Sequence, residues 1–78
     1  MYTIQFKDDR QIRKMIKRYF GTMTYFAGRV GLSRNFIILT LKKRKNLSLD
    51  SANWILDAFN QESDKQFEFE DLFVIKEK

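Results

Sequence analysis

The chain has 78 residues, of which 44% are hydrophobic and 15% aromatic, and its formal net charge is +5. A chain of this length forms one small domain, so we expect residues 1–78 to fold as a single domain with no separate ligand-sensing domain. The sequence lacks both cysteine and histidine, which excludes disulfides, thiol catalysis and Cys-ligated metal sites and removes the commonest general base.

Several other classes of protein are disfavoured by the sequence. No apolar run approaches the ~20 residues of a membrane span. The N-terminal residues do not combine a basic region with an apolar block, so we expect a cytoplasmic protein with no membrane partner. The acidic residues show no spacing that sets a general acid opposite a base, and there is no glycine-rich phosphate loop. We therefore expect no enzyme activity, cofactor, metal or small-molecule ligand.

The charges are distributed very unevenly along the chain. Residues 1–45 contain twelve Lys/Arg and two Asp/Glu, whereas residues 46–78 contain three Lys/Arg and eight Asp/Glu. Between Asp9 and Asp50 there is no acidic residue. One-sided basicity of this kind favours a polyanionic partner such as nucleic acid, because a surface that only needs to be soluble normally mixes both signs.

The N-terminal part predicts a short extended segment and then the clearest helix of the chain. Residues 2–7 alternate apolar and polar side chains, as in a strand or an arm that docks on the core. Residues 8–20 carry an apolar stripe with helical spacing, formed by Ile12, Met15, Ile16, Tyr19 and Phe20. Asp8 is the expected N-cap and Gly21 the expected stop. The polar face of this helix carries Arg10, Arg13, Lys14, Lys17 and Arg18.

Two shorter helices are predicted next. Thr22 is the expected cap of the first, whose buried side would comprise Phe26, Ala27 and Val30. Gly28 is unusual inside a helix, and close approach of another backbone would explain it.

Gly31 ends this helix and Ser33 caps the following one, which we expect over about residues 33–43. A projection at about 100° per residue places Ile37 and Leu41 on the inward side. The opposite side would carry Asn35, Ile38, Leu39 and Lys42.

The C-terminal part predicts a fourth helix, a loop and an ambiguous tail. Ser48 is the expected cap, and the inner face would carry Ala52, Ile55, Leu56 and Phe59, with Trp54 and Ala58 beside it. Asn60 is a candidate stop, and residues 61–66 have the polar composition of a loop. Residues 67–78 fit either a strand or one helical turn. Phe73–Ile75 is a candidate partner for residues 2–6, whereas residues 61–78 are alternatively a candidate dimer contact.

Residues 22–42 together have the layout of a helix-turn-helix. That motif needs a small residue in its first helix, a turn glycine four residues later, and apolar residues that fix its second helix. Here these are Ala27, Gly31, Leu32, Ile37 and Leu41. Each is also an ordinary core residue, so it is their combination within a basic segment that favours the motif. The expected fold is mainly α, with four or five helices and the termini as candidates for a short β-ribbon.

This pattern resembles a known family. Residues 12–60 resemble the Cro/phage-repressor (lambda repressor-like) helix-turn-helix family. The run from Ile16 to Ser33 is especially similar to small Cro-like regulators of phages and prophages of Gram-positive bacteria, which show a pattern like Phe-Gly-Thr-Gln-x-x-Phe-Ala-x-x-Leu-Gly-Leu-Ser. The resemblance implies a compact DNA-binding domain that binds double-stranded DNA as a homodimer and regulates transcription.

The resemblance also implies which positions read bases. The family's base contacts lie at the start of the second motif helix and one turn further on, which here gives Ser33, Arg34, Asn35, Ile38 and Leu39. Arginine can pair with guanine and asparagine with adenine in the major groove. Ile38 and Leu39 are apolar, and would contact thymine methyl groups or, alternatively, a protein partner.

The positions expected at phosphates surround this helix. The family often has glutamine at the position of Met23, where it touches the DNA backbone, and Thr22 or Thr24 would replace it here. The basic run after the second motif helix, Lys42-Lys43-Arg44-Lys45, would contact phosphates. Arg29 and the cations of residues 8–20 would add phosphate contacts on the flanks. Cations at a helix C-terminus are also favoured by the helix dipole alone.

The expected function is therefore that of a sequence-specific transcriptional regulator, either a repressor or an activator. An alternative is a protein-interaction module or anti-repressor on the same fold, with an interface formed by Phe36, Ile38, Leu39 and residues 67–71. A third interpretation is nonspecific DNA binding or RNA binding.

Overall fold

The computed structural model describes residues 1–77 and is mainly helical, which confirms the expected fold class. The elements in chain order are β1 (Tyr2–Phe6), α1 (Asp9–Phe20), α2 (Met23–Val30), α3 (Arg34–Leu41), α4 (Leu49–Glu62), α5 (Phe69–Leu72) and β2 (Phe73–Glu77). Among these residues, no helix is both long and apolar enough to cross a membrane.

The four longer helices all begin at the predicted cap residues. The side-chain oxygens of Asp8, Thr22, Ser33 and Ser48 accept hydrogen bonds from the backbone N–H groups three residues later, at 3.3, 3.1, 3.0 and 3.0 Å. Each bond satisfies one of the four donors that a helix N-terminus leaves without an intrahelical partner.

The apolar stripes of these helices meet in one core. Ile12, Ile16 and Phe20 of α1 are buried, together with the predicted inner residues of the other helices: Phe26, Ala27, Val30, Ile37, Leu41, Ala52, Ile55, Ala58 and Phe59. Three aromatic rings form its centre. Phe20 lies 4.8 Å from Phe26 and 5.3 Å from Phe59 between ring centroids, with its ring nearly perpendicular to that of Phe59. Trp54, by contrast, is exposed on the outer side of α4.

The C-terminal tail forms both a helical turn and a strand. After the short helix α5, β2 pairs antiparallel with β1, with Ile4 opposite Ile75 and Phe6 opposite Phe73. The Phe6 and Phe73 rings lie 5.5 Å apart at the inner end of the ribbon. This confirms the predicted pairing of the two termini.

The predicted end of the fourth helix was wrong. The helix α4 continues past Asn60 to Glu62. The Asn60 side chain instead holds the following loop through two hydrogen bonds. Its Nδ2 donates to the Phe67 carbonyl at 3.1 Å, and its Oδ1 accepts from the Phe67 N–H at 2.6 Å. Because these bonds span seven residues, no local pattern signalled them.

The helix α3 also differs from expectation, because it ends at Leu41 rather than near residue 43. Lys43 has a left-handed backbone with φ 61°. The Lys43 N–H donates to the Thr40 carbonyl at 3.1 Å and the Arg44 N–H to the Leu39 carbonyl at 2.9 Å. These two bonds are those of a Schellman motif, which terminates the helix although no glycine is present.

The expected close approach at Gly28 is not found. Gly28 is exposed, and a Cβ placed on it would meet no heavy atom within 4 Å outside its own helix and neighbours. Its backbone is helical, so glycine is not needed at this position for its conformation.

Gly28→Ala should therefore stabilise the protein by about 0.4–1 kcal/mol, because alanine lowers the conformational entropy of the unfolded chain. Urea denaturation of the two proteins measures the difference. Gly31→Ala is the matched control in the same segment, and should destabilise the protein because Gly31 has φ 74°. A destabilised Gly28→Ala variant would show that glycine is required at this position for a reason other than space.

Candidate nucleic-acid interface

The two motif helices are held together by a three-residue turn. Gly31 takes the left-handed conformation at the end of α2. The Leu32 N–H donates to the Ala27 carbonyl at 3.0 Å, and Ser33 caps α3. With Ala27 and Ile37 both buried, the relative positions of α2 and α3 are fixed by packing as well as by the turn.

The first turn of α3 presents two polar side chains to solvent. Arg34 and Asn35 are both exposed, and neither makes a side-chain hydrogen bond within residues 1–77. Ser33 is exposed too, but its hydroxyl oxygen already accepts from the Phe36 N–H. Arg34 and Asn35 are thus the predicted base-contact residues whose donors and acceptors are free to meet a ligand.

The second predicted pair lies deeper than the helical projection suggested. Ile38 and Leu39 are half-buried rather than fully exposed. The helix α3 packs against α2 on one side and against β1 on another. These two neighbours together cover a wider part of the helix surface than a single apolar stripe would. Thr40, which the projection did not place inside, is buried, and its hydroxyl donates to the Ile37 carbonyl at 2.7 Å.

The start of α2 contains one further candidate for a phosphate contact, which the sequence analysis did not name. Met23 is half-buried against the core, whereas Thr24 is exposed and the Thr22 hydroxyl serves as the cap. Tyr25 is 50% exposed in this first turn. Tyrosine hydroxyls and helix N-termini are common phosphate ligands. The sequence could have indicated this residue, because Tyr25 lies outside the predicted buried side of α2, which comprises Phe26, Ala27 and Val30.

The basic run after α3 divides into free and engaged cations. Lys42, Arg44 and Lys45 are exposed, and no carboxylate within residues 1–77 pairs with them. The Lys43 ammonium instead donates to the Phe6 carbonyl of β1 at 2.9 Å. Lys43 therefore links α3 to the ribbon, and its side chain is less available for phosphate than those of its neighbours.

Arg29 is also engaged within the protein. Its Nε donates to Glu62 Oε1 at 2.9 Å and its NH2 group donates to Gln61 Oε1 at 3.0 Å. Both partners lie at the end of α4, so the guanidinium joins α2 to α4 and its charge is compensated. This weakens the prediction that Arg29 contacts phosphate.

The cations of α1 form a solvent-facing stripe. Arg10, Arg13, Lys14, Lys17 and Arg18 are all exposed, on the side opposite the buried Ile12 and Ile16. Arg29–Glu62 is the one ion pair found within residues 1–77. The basic half of the chain therefore keeps nearly all of its positive charge without internal compensation.

Comparisons of the chain with protein-family models, with curated proteins and with solved structures find no match.

Proposed function

We propose that this protein is a sequence-specific regulator of transcription, of the Cro-like or repressor type expected from its sequence, which binds double-stranded DNA by inserting α3 into the major groove. The observation that carries this proposal is the pair Arg34 and Asn35, exposed at the first turn of α3 on a rigidly packed pair of helices, with the uncompensated cations Lys42, Arg44 and Lys45 directly after that helix. The protein would act as a homodimer in the cytoplasm, without a cofactor, and would repress or activate its target.

The dimensions of α3 suit this role. An α-helix with its side chains is about 10–12 Å in diameter, and the major groove of B-DNA is about 12 Å wide, so α3 (Arg34–Leu41) can enter it. Arg34 is long enough to donate two hydrogen bonds to guanine O6 and N7, and Asn35 can pair with adenine N6 and N7. There is no acidic residue between Asp9 and Asp50, so α2, α3 and the turn between them carry no carboxylate of their own to repel the phosphates.

The phosphate contacts are best assigned to three groups. They are the cations Lys42, Arg44 and Lys45 after α3, the exposed Thr24 and Tyr25 at the start of α2, and the stripe on α1. Such contacts set affinity and register, whereas base contacts set sequence preference. Lys43 and Arg29 are assigned mainly to the fold because of their internal hydrogen bonds. The Thr22 hydroxyl oxygen already accepts from the Tyr25 N–H, so Thr22, like Ser33, is assigned mainly to the fold.

The direct test is a fluorescence-anisotropy titration with a random duplex at low salt, followed by selection of bound sequences from a random library. Nonspecific binding tighter than the Kd of about 10⁻⁴–10⁻⁶ M that is typical at physiological salt, together with a selected palindrome, would support the proposal, since half-sites mirror a two-fold protein. No binding at low salt up to about 10⁻⁴ M protein would contradict it. Equal binding of all duplexes, or preference for RNA, would favour the nonspecific interpretation.

Arg34→Ala should relax the sequence preference at one base pair, at a cost of about 1–3 kcal/mol on the selected site. Random duplex should lose much less affinity, because the removed contact is to a base edge. The same titrations with Arg13→Ala are the control, and should lose affinity uniformly because Arg13 lies on the stripe of α1. An equal loss on selected and random DNA for Arg34→Ala would remove Arg34 from the base contacts.

A protein-interaction module remains the second candidate, and one observation favours it. Phe36, Ile38 and Leu39 are half-buried apolar side chains on α3, and apolar residues are unusual at base-reading positions. The acidic tail contributes less to this alternative, because Phe67 and Phe69 pack on the core and Asp71 accepts from the Glu68 N–H. The random-duplex titration distinguishes the two functions.

A further inference from the structure

A cleft lies between the end of α2 and the middle of α4. Residues 28–31 form one side, and Trp54, Asp57, Ala58 and Gln61 form the other. The cleft encloses about 460 Å³. None of the residues that the proposed function assigns to bases or phosphates lines it, so that function leaves the cleft without a role.

Gly28 keeps the α2 side of this cleft open. Its backbone is helical, and a Cβ placed on it would meet no heavy atom within 4 Å outside its own helix and neighbours. Neither conformation nor packing therefore explains a glycine here, although glycine disfavours helix formation. Because Gly28 lines the cleft, a longer side chain would reach into the open space, which glycine leaves free for a ligand.

Trp54 supplies an unoccupied aromatic surface on the α4 side. It is the only tryptophan of the chain, and it is 51% exposed. Within residues 1–77, no aromatic ring and no cation stacks on its indole. Tryptophan is the best aromatic partner for a cation and is enriched at protein interfaces. The ring is therefore available to a ligand in the cleft.

The polar groups around the cleft favour a cation. Asp57 is exposed, and no Lys or Arg within residues 1–77 pairs with its carboxylate. The negative end of the α2 dipole lies here as well, and the carbonyls of Arg29 and Val30 accept no backbone hydrogen bond from the described residues. Arg29 is the one cation among the lining residues, and its charge is compensated by Glu62.

These groups suit an arginine side chain better than other cations. A planar guanidinium can stack on an indole while its N–H groups donate to a carboxylate, whereas an ammonium is a compact point charge. The cleft is also open, since Gly28, Gly31, Trp54 and Asp57 are all exposed. Sites for small molecules bury most of their ligand, so an open cleft is better suited to a side chain whose own protein covers it from outside.

We propose that the cleft between α2 and α4 is a docking site for a partner protein and receives an arginine side chain of that partner. The guanidinium lies against the indole of Trp54 and donates to the carboxylate of Asp57. This interaction goes beyond the proposed function and does not rest on it, because it uses none of the residues assigned to DNA.

The test follows Trp54 fluorescence of the full chain during titration with the peptide Ac-Ala-Arg-Ala-NH2 at constant ionic strength. Because the chain has one tryptophan, a saturable change reports binding at the cleft. We expect a Kd on the order of 1 mM, since one exposed cation–π contact and one ion pair contribute little each. The same peptide with citrulline, the neutral isostere of arginine, should bind at least about tenfold more weakly, because both contacts need the charge.

Two variants locate the binding. Asp57→Asn should bind the arginine peptide at least about fivefold more weakly, because the ion pair is lost. Gly28→Leu should abolish the saturable change, because leucine occupies the cleft. Asp64→Asn is the control: it removes the same charge from an exposed residue outside the cleft and should leave the affinity unchanged. Gly28 and Asp57 are exposed, so thermal unfolding should confirm an intact fold in both variants.

Three results would overturn this inference. The first is the absence of a saturable change in the wild-type protein up to about 20 mM peptide, well above the expected Kd. The second is equal binding of the arginine and citrulline peptides, or variants that bind as well as Asp64→Asn. The third is binding of methylguanidinium as tight as that of the peptide, which would make the cleft a site for small cations. No DNA is present, so none of these outcomes bears on the proposed function.

Discussion

Replacing Lys42 and Arg44 by glutamine should weaken binding to every duplex and make binding less sensitive to salt. Each phosphate contact contributes about 0.9 to the slope of log K against log salt concentration. Loss of two contacts should therefore make the slope shallower by about two, and each single replacement by about one. Anisotropy titrations at several salt concentrations, with selected and random duplexes, measure this change. The preference between the two duplexes should stay nearly constant, because neither side chain is assigned to a base.

Lys76→Gln is the control for this experiment. It removes one positive charge from an exposed residue of β2, in the acidic half of the chain, and it should leave the slope unchanged. A change as large as that of Arg44→Gln would mean that only the overall charge matters. The phosphate assignment of the basic run would then be wrong.

Asn60→Ala should lower the free energy of unfolding by about 2–3 kcal/mol. The replacement removes two hydrogen bonds and leaves the partly buried N–H and carbonyl of Phe67 without protein partners. The Phe67 ring packs 6.1 Å from Phe59 and 6.4 Å from Tyr19 between centroids, so a released loop also weakens this aromatic contact. Urea denaturation measures the loss. A fall in Tm of roughly 4–8 °C per kcal/mol should accompany it.

Asn53→Ala is the control that isolates the effect of the two hydrogen bonds between Asn60 and Phe67. Asn53 lies on the same helix α4, is exposed and makes no side-chain hydrogen bond within residues 1–77. Both replacements raise the helix propensity equally, so the difference between the variants reports the two bonds of Asn60. If the two variants were equally stable, Asn60 would not hold the loop.

The amino-acid sequence by itself determined the four longer helices and where they begin. The caps Asp8, Thr22, Ser33 and Ser48 were all predicted, because a cap bonds to a backbone group only three residues away. The apolar stripes likewise predicted the core, since a helical period assigns one face to the interior regardless of what covers it. The concentration of cations in residues 1–45 is also a property of the sequence.

The candidate interface needed the tertiary structure, because long-range contacts decide which side chains are free. Lys43 and Arg29 belong to the predicted phosphate contacts, yet Phe6 and Glu62, 37 and 33 residues distant, accept their hydrogen bonds. A helical projection cannot include the packing of β1 against α3, which leaves Ile38 and Leu39 half-buried.

The same dependence on distant residues governs the C-terminal tail. Its composition fits both a helical turn and a strand. The structure contains both, because residues 73–77 are the part of the tail that pairs with β1. That pairing also forms one wall of a groove beside Leu49. This wall comes from the two ends of the chain, at residues 2, 4 and 75, whereas residues 47–49 in the middle of the chain form the other. The sequence thus determined the local elements and their charge, whereas only the tertiary structure decided which surfaces remain open to a partner, because burial and pairing depend on residues far apart in the chain.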